Sequence, residues 1–78
     1  MIQVHSPLIQ ASLDLQVSEQ LRGSELLPIC VRWFQESHGA FVISPDAFLM
    51  RARDQRILSN QETLGEYGVE NNELFYLF

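Results

Sequence analysis

Two histidines, one cysteine, ten carboxylates and five arginines make up the reactive inventory of a 78-residue chain. Nucleophilic catalysis needs a base held beside the nucleophile, and no such pairing is written into the sequence. His5 falls in a β-rich run. His38 stands at the end of a helical pattern, where an imidazole commonly meets the last free carbonyls. Cys30 lies on an apolar helical stripe and reads as a small buried hydrophobe rather than a reactive thiol. A lone cysteine also closes off an internal disulfide and the cysteine-rich zinc patterns, which need more than one thiolate. Glu62, Glu66, Glu70 and Glu73 fall close enough together to resemble a cation cluster, but a solvated acidic edge is the reading that their spacing supports. Lysine does not occur in the sequence, which removes Schiff-base chemistry, the phosphate-gripping lysine of nucleotide loops and lysine acceptors of protein modifiers. The expectation is a chain with no catalytic residue, no metal site and no cofactor, and hence not an enzyme.

Binding is the remaining class of function. Arg51, Arg53 and Arg56 form the one basic cluster in a chain whose net charge is −5. They serve either as surface partners of nearby acids or as a docking contact for an acidic protein. The excess of negative charge repels phosphate backbones and anionic headgroups, so neither nucleic acid nor a membrane surface is an expected partner. The uncharged stretch between Glu36 and Asp46 contains Gly39 and Pro45 and falls far short of the roughly 20 apolar residues of a spanning helix, so no membrane insertion is expected. Met1 to Leu8 carries neither a basic flank nor a leader-like apolar run, and a cytoplasmic location is expected.

These residues must be positioned by a single small domain covering residues 1–78, because 46% hydrophobic and 19% charged residues describe a chain that folds around one core. Ile2–His5 and Ser12–Val17 alternate as strands and predict a hairpin turning near Leu8 to Ala11, with Pro7 at a strand end or edge. From Arg22 to Glu36 the period changes. Leu26, Leu27, Cys30, Val31 and Phe34 line one side of a helix that ends near Gly39. Its start has two readings: Ser24 as N-cap with Pro28 near the first turn, or Arg22 and Gly23 already helical with Pro28 inside. Ala40 to Ile43, followed by Ser44-Pro45-Asp46, reads as a crossover over the core edge. Phe48–Arg53 and Arg56–Leu58 follow as strands around a turn at Asp54-Gln55, then a tight connection from Leu64 to Val69 and a last strand from Leu74 to Phe78. One helix burying its stripe on such a sheet makes a two-layer α+β domain. Alternation by residue type turns Phe48, Met50 and Ala52 inward and the arginines outward.

The segment Thr63-Leu64-x-Glu66-Tyr67-x-Val69, with Leu58 five residues before Thr63, resembles the closing half of the ubiquitin-like β-grasp fold, whose members carry a Thr-Leu-x-Asp/Glu-Tyr-x-Ile pattern. The resemblance implies a mixed sheet of roughly four to five strands packed on one α-helix. It also implies that Leu64 and Val69 close the core, that Tyr67 anchors the loop, and that Asn71-Asn72 supplies the positive-φ turn where relatives often have Asp-Gly. Counting back from Leu58 against the family gives the other register for the third strand, with Leu49 as the core position. The closing pattern Leu-x-Glu-Tyr-x-Val-x-x-Asn-x-Leu-Phe-x-Leu is similar to the YukD/EsaB family, the small ubiquitin-like cytoplasmic components of type VII (Ess/Yuk) secretion in Gram-positive bacteria. Similarity runs from about Phe48 to Phe78. Before that it is confined to element order, the helix and the Leu13-Asp14-Leu15-x-Val17 strand.

That resemblance implies an accessory or regulatory part of a protein secretion system, working by protein–protein docking and not by conjugation. The expectation from the sequence agrees: with Phe78 inside the predicted last strand and no Gly-Gly tail after it, no extended carboxylate is expected for an activating enzyme. The alternatives are a generic β-grasp interaction scaffold of Ras-binding or PB1-like kind, using the arginines against acidic partners, and a truncated sulfur carrier or modifier. Matching Val69 to the family's Ile puts Phe75 and Leu77 in the core and projects Leu74, Tyr76 and Phe78 from the open sheet face, the usual β-grasp recognition surface. Arg51, Arg53, Arg56, Leu74, Tyr76 and Phe78 are therefore the expected contacts to a membrane-bound secretion component or to a second copy of the chain.

Overall fold

Ile2, Val4 and Ser6 are buried while Gln3 between them is exposed, and that period of two builds the first strand, β1 (Ile2–Ser6). It pairs antiparallel with β2 (Ala11–Leu15) in a register running from Ile2 opposite Leu15 to Ser6 opposite Ala11. Pro7 comes directly after β1, where the ladder no longer needs its donor. The turn closes at Gln10, whose φ of 51° lies in the left-handed region. Val17, expected in the strand, lies beyond it and packs half-buried against the core. The structure is a computed structural model and describes residues 1–38 and 46–78.

The helix α1 (Gly23–His38) starts early, so Pro28 stands inside it and the Ser24 carbonyl loses its helical donor. Ser24 is therefore not the N-cap. The first-turn donors go elsewhere: Gly23 N–H to the Glu62 carbonyl at 3.1 Å, Ser24 N–H to the Asn60 carbonyl at 3.3 Å, and both Glu25 and Leu26 N–H to the Arg22 carbonyl at 3.0 Å. Docking onto the chain ahead of Thr63 demands a glycine, since a Cβ at position 23 would sit 2.1 Å from the Ser59 carbonyl oxygen. Leu26, Cys30 and Phe34 form the buried stripe, with Leu27 and Val31 half-buried beside it. The expected stop at Gly39 and the crossover over Ala40 to Pro45 lie outside the described residues.

Downstream come β3 (Leu49–Arg51), β4 (Arg56–Ile57), the single turn α2 (Leu64–Tyr67) and β5 (Glu73–Leu77). The strands form one five-stranded sheet in the order β2-β1-β5-β3-β4, with β1 and β5 parallel and every other pair antiparallel. Ile2, Val4, Leu49, Leu58, Leu64, Tyr67, Phe75 and Leu77 meet the stripe of α1 in one core. The architecture is a small two-layer α+β domain, compatible with a β-grasp.

Leu49 lies opposite Leu77, and Arg51 opposite Phe75, both facing the core. The register inferred from residue type is thus overturned: Met50 points away from the helix and Arg51 toward it. The expected strand to Arg53 stops at Arg51, because the Gln55 N–H turns back to the Arg51 carbonyl at 2.8 Å and Gln55 takes φ 58°. Thr63 caps α2 through a reciprocal box with Glu66, and Gly68 ends it in the left-handed conformation at φ 76°. Leu64 and Tyr67 are buried, Val69 is half-buried, and Asn72 supplies the positive φ of 64° that leads into β5.

Candidate docking surface on the open sheet face

Phe75 and Leu77 point into the core, so the intervening Tyr76 and the flanking Leu74 emerge on the face opposite α1. Cross-strand neighbours share a face, which assembles the surface row by row. Tyr76 stands between His5 on β1 and Met50 on β3; beyond them lie Ser12 on β2 and Ile57 on β4. Leu74 stands beside Gln3, which faces Asp14. Phe48 and Phe78 extend the β3–β5 ladder by exchanging backbone hydrogen bonds of 3.0 Å each. One half of the face, Ser12, Asp14 and Gln3, is polar. The other half, Leu74, Tyr76, Phe78, Phe48, Met50 and Ile57, is apolar.

The apolar half is packed within itself and open to solvent. Ring centroids are 5.7 Å apart for Phe48 and Phe78 and 6.0 Å for Tyr76 and Phe78, while His5 meets Tyr76 edge-on at 6.0 Å. Ile57 remains 56% exposed, Phe78 49% and Phe48 36%; Leu74, Tyr76 and Met50 are half-buried by their neighbours. His5 is held in place by a 2.8 Å hydrogen bond between its Nδ1 and Ser12 Oγ, and serves there as the border between the two halves.

The arginines divide. Arg51 is only 4% exposed, and each of its three guanidinium nitrogens donates a hydrogen bond within the chain. Nε and Nη2 donate to the two Asp54 carboxylate oxygens at 3.0 and 2.7 Å, Nη1 donates to the Tyr67 carbonyl at 3.0 Å, and the plane lies 4.5 Å from the Tyr67 ring centroid. A guanidinium so bound cannot also meet a partner, and Arg51 drops out of the docking surface. The Arg56 guanidinium lies 4.7 Å from the same ring and 3.6 Å from the Glu62 carboxylate, while the Tyr67 hydroxyl donates to the Arg56 carbonyl. Arg53 bridges Glu70 at 3.0 Å and Glu73 at 3.2 Å. Arg53 and Arg56 remain partly exposed, on surfaces set by these pairs rather than on the open face.

The electrostatics follow from these contacts. The hydrogen bond from Arg51 holds the Asp54 carboxyl down to about 2, with the Arg56 backbone N–H helping. The same bond raises Arg51, against the desolvation that opposes it, and burial raises Tyr67 despite its two cations. Burial pushes the Cys30 thiol up to about 12, which leaves it protonated and unreactive. The acidic run that resembled a cation cluster is divided among arginines and a cap: Glu62 pairs with Arg56, Glu70 and Glu73 with Arg53, and Glu66 accepts from the Thr63 N–H and hydroxyl.

Phe48, Met50 and Ile57 complete the patch and were not among the contacts anticipated. Their membership needed the β3 register and the β3–β4 pairing, neither of which is local. On α1, Ile29 and Trp33 sit one turn apart and exposed, beside the Arg32–Glu36 pair; taking Leu26, Cys30 and Phe34 as the inward stripe would have placed both outward. Among the described residues no helix is long and apolar enough to cross a membrane. No protein-family model matches the chain, and no curated protein matches it significantly.

Proposed function

We propose that the chain is a ubiquitin-like β-grasp protein of the YukD/EsaB type, a non-enzymatic accessory or regulatory component of a type VII protein secretion system. It acts by docking its open sheet face onto a protein of that machinery, not by conjugation. The observation that carries the docking reading is the continuous apolar half-face of Leu74, Tyr76, Phe78, Phe48, Met50 and Ile57. Large apolar side chains gathered on one exposed surface gain roughly 1.5 to 3 kcal/mol each on full burial, and such patches mark interaction sites. The strand order and the Thr63–Tyr67 capping turn support the β-grasp reading, and the closing sequence pattern supports the family.

The test is capture of amino-terminally tagged protein from its native cells by reversible crosslinking, with a Tyr76→Ser/Phe78→Ser variant alongside. Secretion-machinery subunits recovered with the parent chain and lost with the variant, while the variant keeps its native circular dichroism, are the expected result. Equal recovery with both proteins places the contact elsewhere; absence of secretion subunits with either removes the secretion role.

A further inference from the structure

The charge distribution adds a requirement to the docking reading, on which this inference rests. Each of the five arginines is already engaged within the chain. Arg22 donates to the Gln61 carbonyl at 2.6 Å, Arg32 to Glu36, Arg51 to Asp54, Arg53 to Glu70 and Glu73, and Arg56 to Glu62. The sequence has no lysine, and its net charge is −5. Among the described residues Asp14 and Glu19 stand in no ion pair. Asp14 lies on the open face itself, in the row that ends at Leu74. The apolar half-face is thus a neutral surface on an acidic molecule with no unengaged arginine.

Three occupants of that face differ in charge. A second copy would bring −5 against −5 and offer only arginines already engaged within their own chain. An anionic membrane surface would repel the chain for the same reason. A segment that carries its own cations beside an apolar strip meets both demands, burying the patch and answering the surrounding carboxylates. The molecule measures 33 × 22 × 21 Å, so an amphipathic helix of about 20 residues, some 30 Å long, matches its longest dimension. We infer that the partner of the open face is a basic amphipathic protein segment, an apolar strip flanked by lysine or arginine, seated on Tyr76, Phe78, Phe48, Met50 and Ile57.

Two synthetic peptides test this, identical in their apolar strip and helical propensity, one flanked by lysines and the other by glutamates. Each is titrated into the full chain with amide chemical shifts as the readout, and sedimentation of the chain alone gives its oligomeric state. The lysine peptide is expected to shift Met50, Ile57, Tyr76 and Phe78 and to bind at least about tenfold tighter than the glutamate peptide, the gap closing as salt rises. Ile57→Ser, at an edge position that the fold does not need, should abolish that binding with the amide spectrum otherwise native; Asp14→Lys should narrow the gap between the peptides. Equal binding of the two peptides would overturn the basic partner while leaving the docking surface intact. A dimer of the chain that Ile57→Ser disperses would give the face to a second copy. A monomer whose open face responds to neither peptide would overturn this inference and the docking reading together.

Discussion

Arg51 occupies a position that an apolar side chain would usually take, opposite Phe75 and under the Tyr67 ring. Its burial is tolerated because each of its three nitrogens meets an acceptor: two carboxylate oxygens of Asp54 and the Tyr67 carbonyl. Arg51→Ala strips a buried carbonyl of its donor and removes one of the ring's two cations. It should cost about 1 to 3 kcal/mol in urea unfolding. Arg51→Lys should recover little of that, since an ammonium cannot bridge the carboxylate bidentately. Asp54 carries the pH dependence of the same contact. Its carboxyl is depressed from the usual 3.8 to about 2, so its contribution to stability is complete above the unfolded value and is lost as pH falls through the folded one. Thermal melts of the parent and Asp54→Asn should therefore differ at neutral pH and converge as the pH approaches about 2.

At the scale of elements, the start of α1 is decided by what it touches rather than by capping preference. Ser24 is a good N-cap by type, yet the helix opens at Gly23 because the Glu62 and Asn60 carbonyls take the first donors. Helix propensity alone favours alanine over glycine at such a site by about 1 kcal/mol. The 2.1 Å approach to the Ser59 carbonyl reverses the sign. Gly23→Ala should destabilise by roughly 1 to 3 kcal/mol, because backbone must move to admit the methyl group; a raised melting temperature would show that the loop yields freely. The strands show the same division. In β1 the alternation is legible from residue types, because Ile2 and Val4 take turns with Gln3 and His5; in β5 the run Leu74 to Leu77 is apolar throughout, and only the family pattern, matched at Val69, put Phe75 and Leu77 inward. In β3 the signal inverts. Phe48, Met50 and Ala52 look like the core side, but the buried positions are Leu49 and Arg51. Only the family pattern, counted from Leu58, indicated Leu49.

For the whole molecule, the sheet has one face closed by α1 and the other open, and the open face concentrates its apolar residues at the β5-β3-β4 side. This predicts a separation between stability and association. Ile57→Ser and Phe78→Ser each alter a largely exposed side chain and should change unfolding free energy by less than about 0.5 kcal/mol. Phe75→Ser, one residue from Tyr76 but fully buried, should cost about 3 to 5 kcal/mol or prevent folding. Association measured across these three variants should follow exposure, not stability; loss of folding in the two surface variants would mean that the patch carries core energy.

Composition and period determined a great deal without coordinates. They determined one small α+β domain, a hairpin followed by an amphipathic helix, and an acidic lysine-free surface. These properties are local, or sums over the chain, and local spacing reports them directly. The tertiary structure alone decided which way β3 faces, that Arg51 is an interior clasp rather than a docking group, and that Phe48, Met50 and Ile57 join Tyr76 and Phe78 in one surface. The reason is that strand pairing is long-range: a shift of one residue in register exchanges the two faces of a strand at no cost to its local pattern. Only the neighbours, Leu77 beside Leu49 and Phe75 beside Arg51, select between them.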